Sequence, residues 1–205
     1  VHVLMMNSDG TVKSGTKIAS GTNGGPTLGL NSFFGKSIAS VGDLDGDGVT
    51  DLAVGARSDS MGGYNRGAVY MLMLNADGTV KDSTKIAHET NGGPTLSDQD
   101  FFGASITSLG DLDGDGITDL AVGADGDSTG GVGTLRGAVH VLLMRGDGTV
   151  KSSTKIAHET NGGPTLGPAS FFGKSIASVG DLDGDGIVDL AVGARSDSMG
   201  GYNRG

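Results

Sequence analysis

The unbroken apolar stretch from Val69 to Leu74 sets the first constraint on the fold. In an extended strand Val69, Met71 and Met73 fall on one face and Tyr70, Leu72 and Leu74 on the other. This strand is therefore predicted to be buried on both sides, as in a sheet packed between neighbours. The segment after it, Thr79 to His88, alternates polar and apolar residues and predicts a half-exposed strand. Ahead of it, Leu52-Ala53-Val54-Gly55 is a short apolar run stopped by glycine and reads as a buried strand. The run from Phe34 to Gly42 supplies one more. Between the third and fourth strands stands Asp77-Gly78, a hairpin signal that predicts a type I′ turn with positive φ at both central positions.

This four-strand pattern recurs along the chain. The triplet Phe-Phe-Gly begins at 33, 101 and 171, at intervals of 68 and 70 residues. The additional length falls in one connection, Asp125 to Arg136 against Arg57 to Arg66, and marks a surface loop. Matching hairpin pairs are Asp9-Gly10 and Asp147-Gly148, and Asn-Gly-Gly-Pro-Thr-Leu recurs at 23, 91 and 161 as a rigid turn into the next unit. The predicted organisation is all-β: 1–32 as the second half of a split unit, 33–100 and 101–170 as full repeats, and 171–205 as the first half of another. Such phasing predicts a longer array, or several chains completing one another's units, growing head to tail into a ring or a filament.

Each unit places four carboxylates within nine residues as Asp-x-Asp-x-Asp-Gly-x-x-Asp, between its first and second strands. Like charges about 4 Å apart repel by about 4 kcal/mol per pair at an effective dielectric near 20, so the loop is predicted to splay without a cation. Calcium takes six to eight oxygens in loose geometry, whereas magnesium demands a near-ideal octahedron and retains water. The candidate ligands are the side chains of Asp43, Asp45, Asp47 and Asp51 with the carbonyl of Val49; Asp111, Asp113, Asp115 and Asp119 with that of Ile117; and Asp181, Asp183, Asp185 and Asp189 with that of Ile187. About three calcium ions per chain are expected. An EF-hand opens its loop in the same way but needs a bidentate Glu at position twelve and flanking helices. Position twelve here is Val54, Val122 or Val192, and the flanks read as strands. The alternative is a solvated, metal-free acidic turn, which the threefold recurrence weighs against.

In this order, Phe34-Gly35, the acidic loop and Gly55-Ala56 resemble the FG-GAP repeat of integrin alpha-subunit propellers and of bacterial surface proteins, with Arg57 where that family often has proline. The resemblance spans essentially the whole chain. It implies a β-propeller blade per repeat, with calcium rigidifying the hairpin between the first two strands as a structural ion. It implies an adhesion or scaffold protein at the cell surface or outside the cell, not an enzyme. The alternatives it leaves open are a self-assembling extracellular fibre and the non-catalytic module of a secreted hydrolase. Its ligand, protein or glycan, is not specified by the sequence.

Composition refines this picture. Of 205 residues 40 are glycine, without a Gly-X-Y period, which predicts many tight turns. The formal net charge of −10 counts against nucleic acid and anionic membranes as partners. Three divalent ions would reduce it to about −4 and leave that conclusion in place. No run of apolar residues is long enough to insert in a membrane as a helix, and the absence of cysteine makes disulfides irrelevant. Calcium sites of this kind suit the millimolar calcium outside the cell.

Several residues invite other readings. Arg145-Gly146-Asp147 spells an integrin ligand at a hairpin tip, but the other units read Asn-Ser-Asp and Asn-Ala-Asp, so the match is ascribed to chance. His88 and His158 end the fourth strands where Ser20 stands in the first unit, with no nucleophile motif beside them, and read as surface residues. His2 and His140 match Tyr70 at a tolerant packing position. All six phenylalanines lie in the triplets, and each pair is expected to act as a wedge between units.

Overall fold

The computed structural model describes residues 1–60 and 62–197, and the end of the last predicted unit, 198–205, lies outside the described residues. Every element is a strand: β1 (His2–Met6), β2 (Val12–Lys17), β3 (Phe34–Gly42), β4 (Asp51–Ala56), β5 (Ala68–Leu74), β6 (Val80–Ile86), β7 (Phe102–Gly110), β8 (Asp119–Ala124), β9 (Ala138–Met144), β10 (Val150–Ala157), β11 (Phe172–Gly180) and β12 (Asp189–Ala194). Two antiparallel sheets of four strands, β3-β4-β5-β6 and β7-β8-β9-β10, are flanked by two-stranded sheets, β1-β2 and β11-β12. The strands meander in chain order, with Leu52 opposite Leu72 in the first full sheet and Leu120 opposite Leu142 in the second. These are propeller-type blades, and among the described residues they do not close into a ring.

The two-faced apolar pattern of β5 explains the stacking. All seven residues of β5 are buried. Tyr70, Leu72 and Leu74 join Ile18 and the partly buried Val1, Val3 and Phe34 in one core, on the side of the β1-β2 sheet. Val69, Met71 and Met73 join Phe102, Ile106, Leu120, Val122, Leu142 and Met144 in another, against the second full sheet. A third core sets Val139 and Leu109 against Phe172, Ile176 and Val192 of the last sheet. Each core is thus an interface between successive sheets, and no sheet has a private interior.

Backbone bonds cross these interfaces. Phe102 N–H donates to the Arg66 carbonyl at 2.9 Å, and Phe172 N–H to the Arg136 carbonyl at 2.8 Å. Ser37 Oγ donates to the Gly103 carbonyl at 2.9 Å, and Ser105 Oγ to that of Gly173 at 2.7 Å.

Two local expectations are corrected. In the hairpins only glycine has positive φ (Gly10 85°, Gly78 79°, Gly148 76°), so the turns are not type I′. Asn75 N–H donates to the Thr79 carbonyl and Gly78 N–H to that of Asn75, the pattern of a type I turn closed by a left-handed glycine. The Asp77 carboxylate accepts from Thr79 N–H at 2.9 Å and from its hydroxyl at 2.6 Å, a local bond that favours this turn. The phenylalanine pairs also divide. Phe102 and Phe172 are buried, while the first ring of each triplet sits at positive φ (Phe33 53°, Phe101 59°, Phe171 54°) and Phe33 is 65% exposed. Arg57 and Arg195 lie over the Phe101 and Phe171 rings, at 3.8 and 5.0 Å from their centroids. Only the second phenylalanine is a wedge.

Candidate metal centres

The three acidic loops connect β3 to β4, β7 to β8 and β11 to β12, and all are wound by their own backbone. Asp43 takes the amides of Asp47 and Gly48 on its two carboxylate oxygens at 2.9 and 2.8 Å. Asp111 and Asp181 do the same for Asp115 with Gly116 and for Asp185 with Gly186. Gly46 and Gly48, at φ 79° and 87°, supply the left-handed conformations this winding requires. Asp51, at the ninth position, is fully buried. It accepts from Leu44 N–H at 2.9 Å and from Leu74 N–H at 2.8 Å, so one carboxylate ties the loop to the end of β5. Asp119 repeats this with Leu112 and Met144 at 2.9 and 2.8 Å.

In each loop three carboxylates each offer an oxygen within 4.8 Å of the others: Asp43, Asp45 and Asp51; Asp111, Asp113 and Asp115; Asp181, Asp183 and Asp189. Oxygens on opposite sides of a calcium ion, each about 2.4 Å from it, stand about 4.8 Å apart. The oxygen-only donor set and its spread therefore fit a hard divalent cation. The first and third positions of the phrase belong to every group, with the fifth or the ninth as the third member. Asp47, Asp119 and Asp185 lie outside these triads. Asp47 accepts from Val49 N–H at 2.8 Å and Asp185 from Ile187 N–H at 2.8 Å, which orients the segments carrying the carbonyls of Val49 and Ile187; Asp115 holds Ile117 likewise at 3.0 Å.

The electrostatics contain a feature that the sequence reading missed. The Lys81 ammonium, at the start of β6, sits on Asp45 at 2.6 Å and also contacts Asp47. Lys151, at the start of β10, reaches Asp113 at 2.7 Å and Asp115 at 3.1 Å. The Lys81 bond, followed by the Val49 amide, lowers the pKa of Asp47. The Ile117 amide and then Lys151 lower that of Asp115, while burial raises that of Asp119. The signal was present in Thr-Val-Lys at 11, 79 and 149, following each hairpin glycine.

Comparison with known proteins places this geometry. A profile described as FG-GAP-like repeat matches residues 111–192, and one described as FG-GAP repeat matches 34–72. The chain belongs to the FG-GAP repeat family. It is 34% identical over 165 residues to integrin alpha-4 of Xenopus laevis, covering 80% of this chain and 14% of that protein. To integrin alpha-3 of Cricetulus griseus it is 33% identical over 204 residues, covering 97% and 17%. Integrin alpha-PS2 of Drosophila melanogaster is 34% identical over 175 residues, covering 82% and 12%. The chain thus spans a small part of each relative's length.

The remaining sequence candidates have structural roles in these FG-GAP repeats. His88 Nδ1 accepts from Leu96 N–H at 2.9 Å and His158 Nδ1 from Leu166 N–H at 3.0 Å, as Ser20 Oγ accepts from Leu28 N–H at 3.2 Å. These side chains cap the connection between successive repeats. In Arg145-Gly146-Asp147 the carboxylate is engaged by Thr149 and the guanidinium donates to the Val150 carbonyl at 2.6 Å. His140 is buried with neither ring nitrogen bonded, and burial pushes its pKa down to about 4.

Proposed function

We propose that this FG-GAP chain is a calcium-stabilised adhesion or scaffold module that works outside the cell or at its surface. The observation that carries the reading is the buried ninth-position carboxylate. Asp51 and Asp119, at the start of β4 and β8, join the acidic loop to the end of the neighbouring strand β5 or β9 at the same end of the sheet. A cation held by the loop would therefore brace the whole sheet. Asp43, Asp45, Asp47, Asp51 and the Val49 carbonyl, with their counterparts in the other two loops, are the proposed ligands, about three ions per chain. At millimolar calcium and a dissociation constant near 10 μM, each ion would add about 2.7 kcal/mol, and three would rival the 5–15 kcal/mol of a typical domain. Calorimetric titration with calcium, alongside melting in calcium and in EGTA, tests this: saturable binding and a lower melting temperature in EGTA are expected, and identical melting curves would refute it.

The integrin alpha relatives support adhesion and binding to a protein partner over catalysis. If the chain is instead the non-catalytic module of a hydrolase, its full reading frame will encode a catalytic domain beside it.

A second reading is self-association through β1. Its neighbour in the sheet is β2, and among the described residues its other edge carries no strand. Leu4 and Met6 are 50% and 56% exposed, although their counterparts in β5 are buried. Strand β12 of a second copy would pair there as β4 pairs with β5, setting Leu190 opposite Leu4. Sedimentation that stays monomeric at high concentration would exclude it.

A further inference from the structure

We propose that Lys81 and Lys151 are built-in competitors for the loop cation: each ammonium occupies the acidic loop when calcium is scarce and weakens calcium binding when it is not. The proposal rests on the calcium reading above.

Both lysines follow a hairpin and open the outer strand of their sheet, β6 or β10. Each spans the third and fifth positions of the loop in its own sheet, Asp45 with Asp47 and Asp113 with Asp115. Asp45 and Asp113 are also members of the two triads able to hold a cation. One ammonium therefore already neutralises part of the charge that would otherwise force the loop apart. The expectation that the loop splays without metal is thereby modified.

The sign follows from Coulomb's law. A divalent ion entering the loop must either displace a cation a few ångströms away or bind beside it. Both outcomes weaken the complex relative to a loop facing an uncharged side chain of equal length. Salt weakens the effect because the ammonium is partly exposed.

The experiment compares wild type with a Lys81→Met/Lys151→Met variant and a Lys81→Arg/Lys151→Arg variant. Calcium titration by calorimetry at low ionic strength and melting in EGTA are the readouts. In the Met variant two of the three sites are expected to bind calcium about tenfold more tightly, while melting in EGTA shifts down. The Arg variant should keep wild-type values for both. A Met variant that folds only in calcium is the same result at its limit, and the single Lys81→Met change, with the second loop intact, then supplies the affinity comparison. Unchanged or weaker calcium affinity in the Met variant overturns the proposal while leaving the calcium reading intact. Absence of calcium binding in all three proteins overturns both.

Discussion

A Cβ on Gly55 would lie 2.2 Å from the Gly103 carbonyl oxygen of the next sheet, and a Cβ on Gly103 would lie 3.3 Å from the Gly55 Cα and 2.5 Å from the Ala68 carbonyl. The first glycine belongs to the Gly-Ala that ends β4, and the second follows the phenylalanine that opens β7. The family's two signature glycines are thus halves of one backbone contact, made between neighbouring repeats. Gly123 and Gly173 repeat it, with a Cβ on Gly123 only 2.0 Å from the Gly173 carbonyl. Gly103→Ala is expected to cost about 2–5 kcal/mol, combining overpacking with strain at φ 86°. Urea denaturation should show the loss. A cost below about 0.5 kcal/mol would mean that the sheets are not held at this separation.

Much of this was legible in the sequence, because alternation and glycine punctuation act locally. The two faces of β5 were readable from Val69 to Leu74, since a strand buried on both sides has no polar face to hide. The acidic phrase was readable for the same reason. What escaped was set by tertiary distance. The lysines at 81 and 151 are 34 and 36 residues from Asp47 and Asp115, their partners across the loop. The split role of each Phe-Phe pair depends on a left-handed backbone at the first phenylalanine, which the residue type itself disfavours. The hairpin turn was misjudged because Asp-Gly suits both a type I′ turn and a type I turn with a glycine bulge.

His140 occupies the place of Tyr70, whose hydroxyl donates to Asp59 at 2.9 Å. The imidazole makes no bond to the matching Asp127, which pairs with Lys155 just as Asp59 also pairs with Lys85. His140→Tyr is expected to stabilise the protein by about 1–2 kcal/mol by supplying the missing donor. Chemical denaturation measures it, and a destabilised variant would show that the site cannot hold the larger ring.

The same histidine gives a pH dependence. Its pKa falls from 6.5 to about 4 on folding, with burial the main cause. Between those values the unfolded chain binds the proton and the folded one does not. Stability is therefore full above pH 6.5 and declines as pH falls toward 4, by about 3 kcal/mol at most. Asp100, raised by burial to about 6, slopes the opposite way over the same range, because its folded form holds the proton longer. The difference between wild type and His140→Tyr isolates the histidine: it should widen as pH drops below 6.5, and a constant difference would remove His140 as the cause.

Asp125, whose side chain is fully buried, joins two sheets through Arg57 at 3.1 Å and Lys174 at 2.6 Å. The three repeats carry Arg57, Asp125 and Arg195 at this one position, so adjacent full repeats differ in sign where they meet. Asp125→Ala leaves two cations facing each other and is expected to cost about 3–5 kcal/mol. Pairing Asp125→Arg with Arg57→Asp should recover part of the loss that Asp125→Arg causes alone, as a double-mutant cycle would show. No recovery would mean that Lys174 dominates the interaction.

The two kinds of acidic residue in each loop are separable by chelation. Asp113 is partly exposed and pairs with Lys151, a surface contact that contributes little by itself. Asp119 is buried, and both its oxygens receive backbone amides. Asp113→Asn should leave melting in EGTA nearly unchanged, because it removes repulsion within the loop along with the Lys151 contact, and should narrow the gap between calcium and EGTA, because a bound cation depends on that charge. Asp119→Asn should lower melting in both conditions, since the amide nitrogen faces one of those two donors and leaves it without an acceptor, at about 1–3 kcal/mol. Differential scanning fluorimetry of both variants, with and without calcium, distinguishes the roles. If Asp113→Asn leaves the gap at its wild-type width, the third position of the phrase is no ligand and the loop is an acidic turn held by its lysine. If Asp119→Asn changes only the calcium-bound value, the carboxylate that joins loop to strand contributes nothing without metal, and the cation alone braces the sheet.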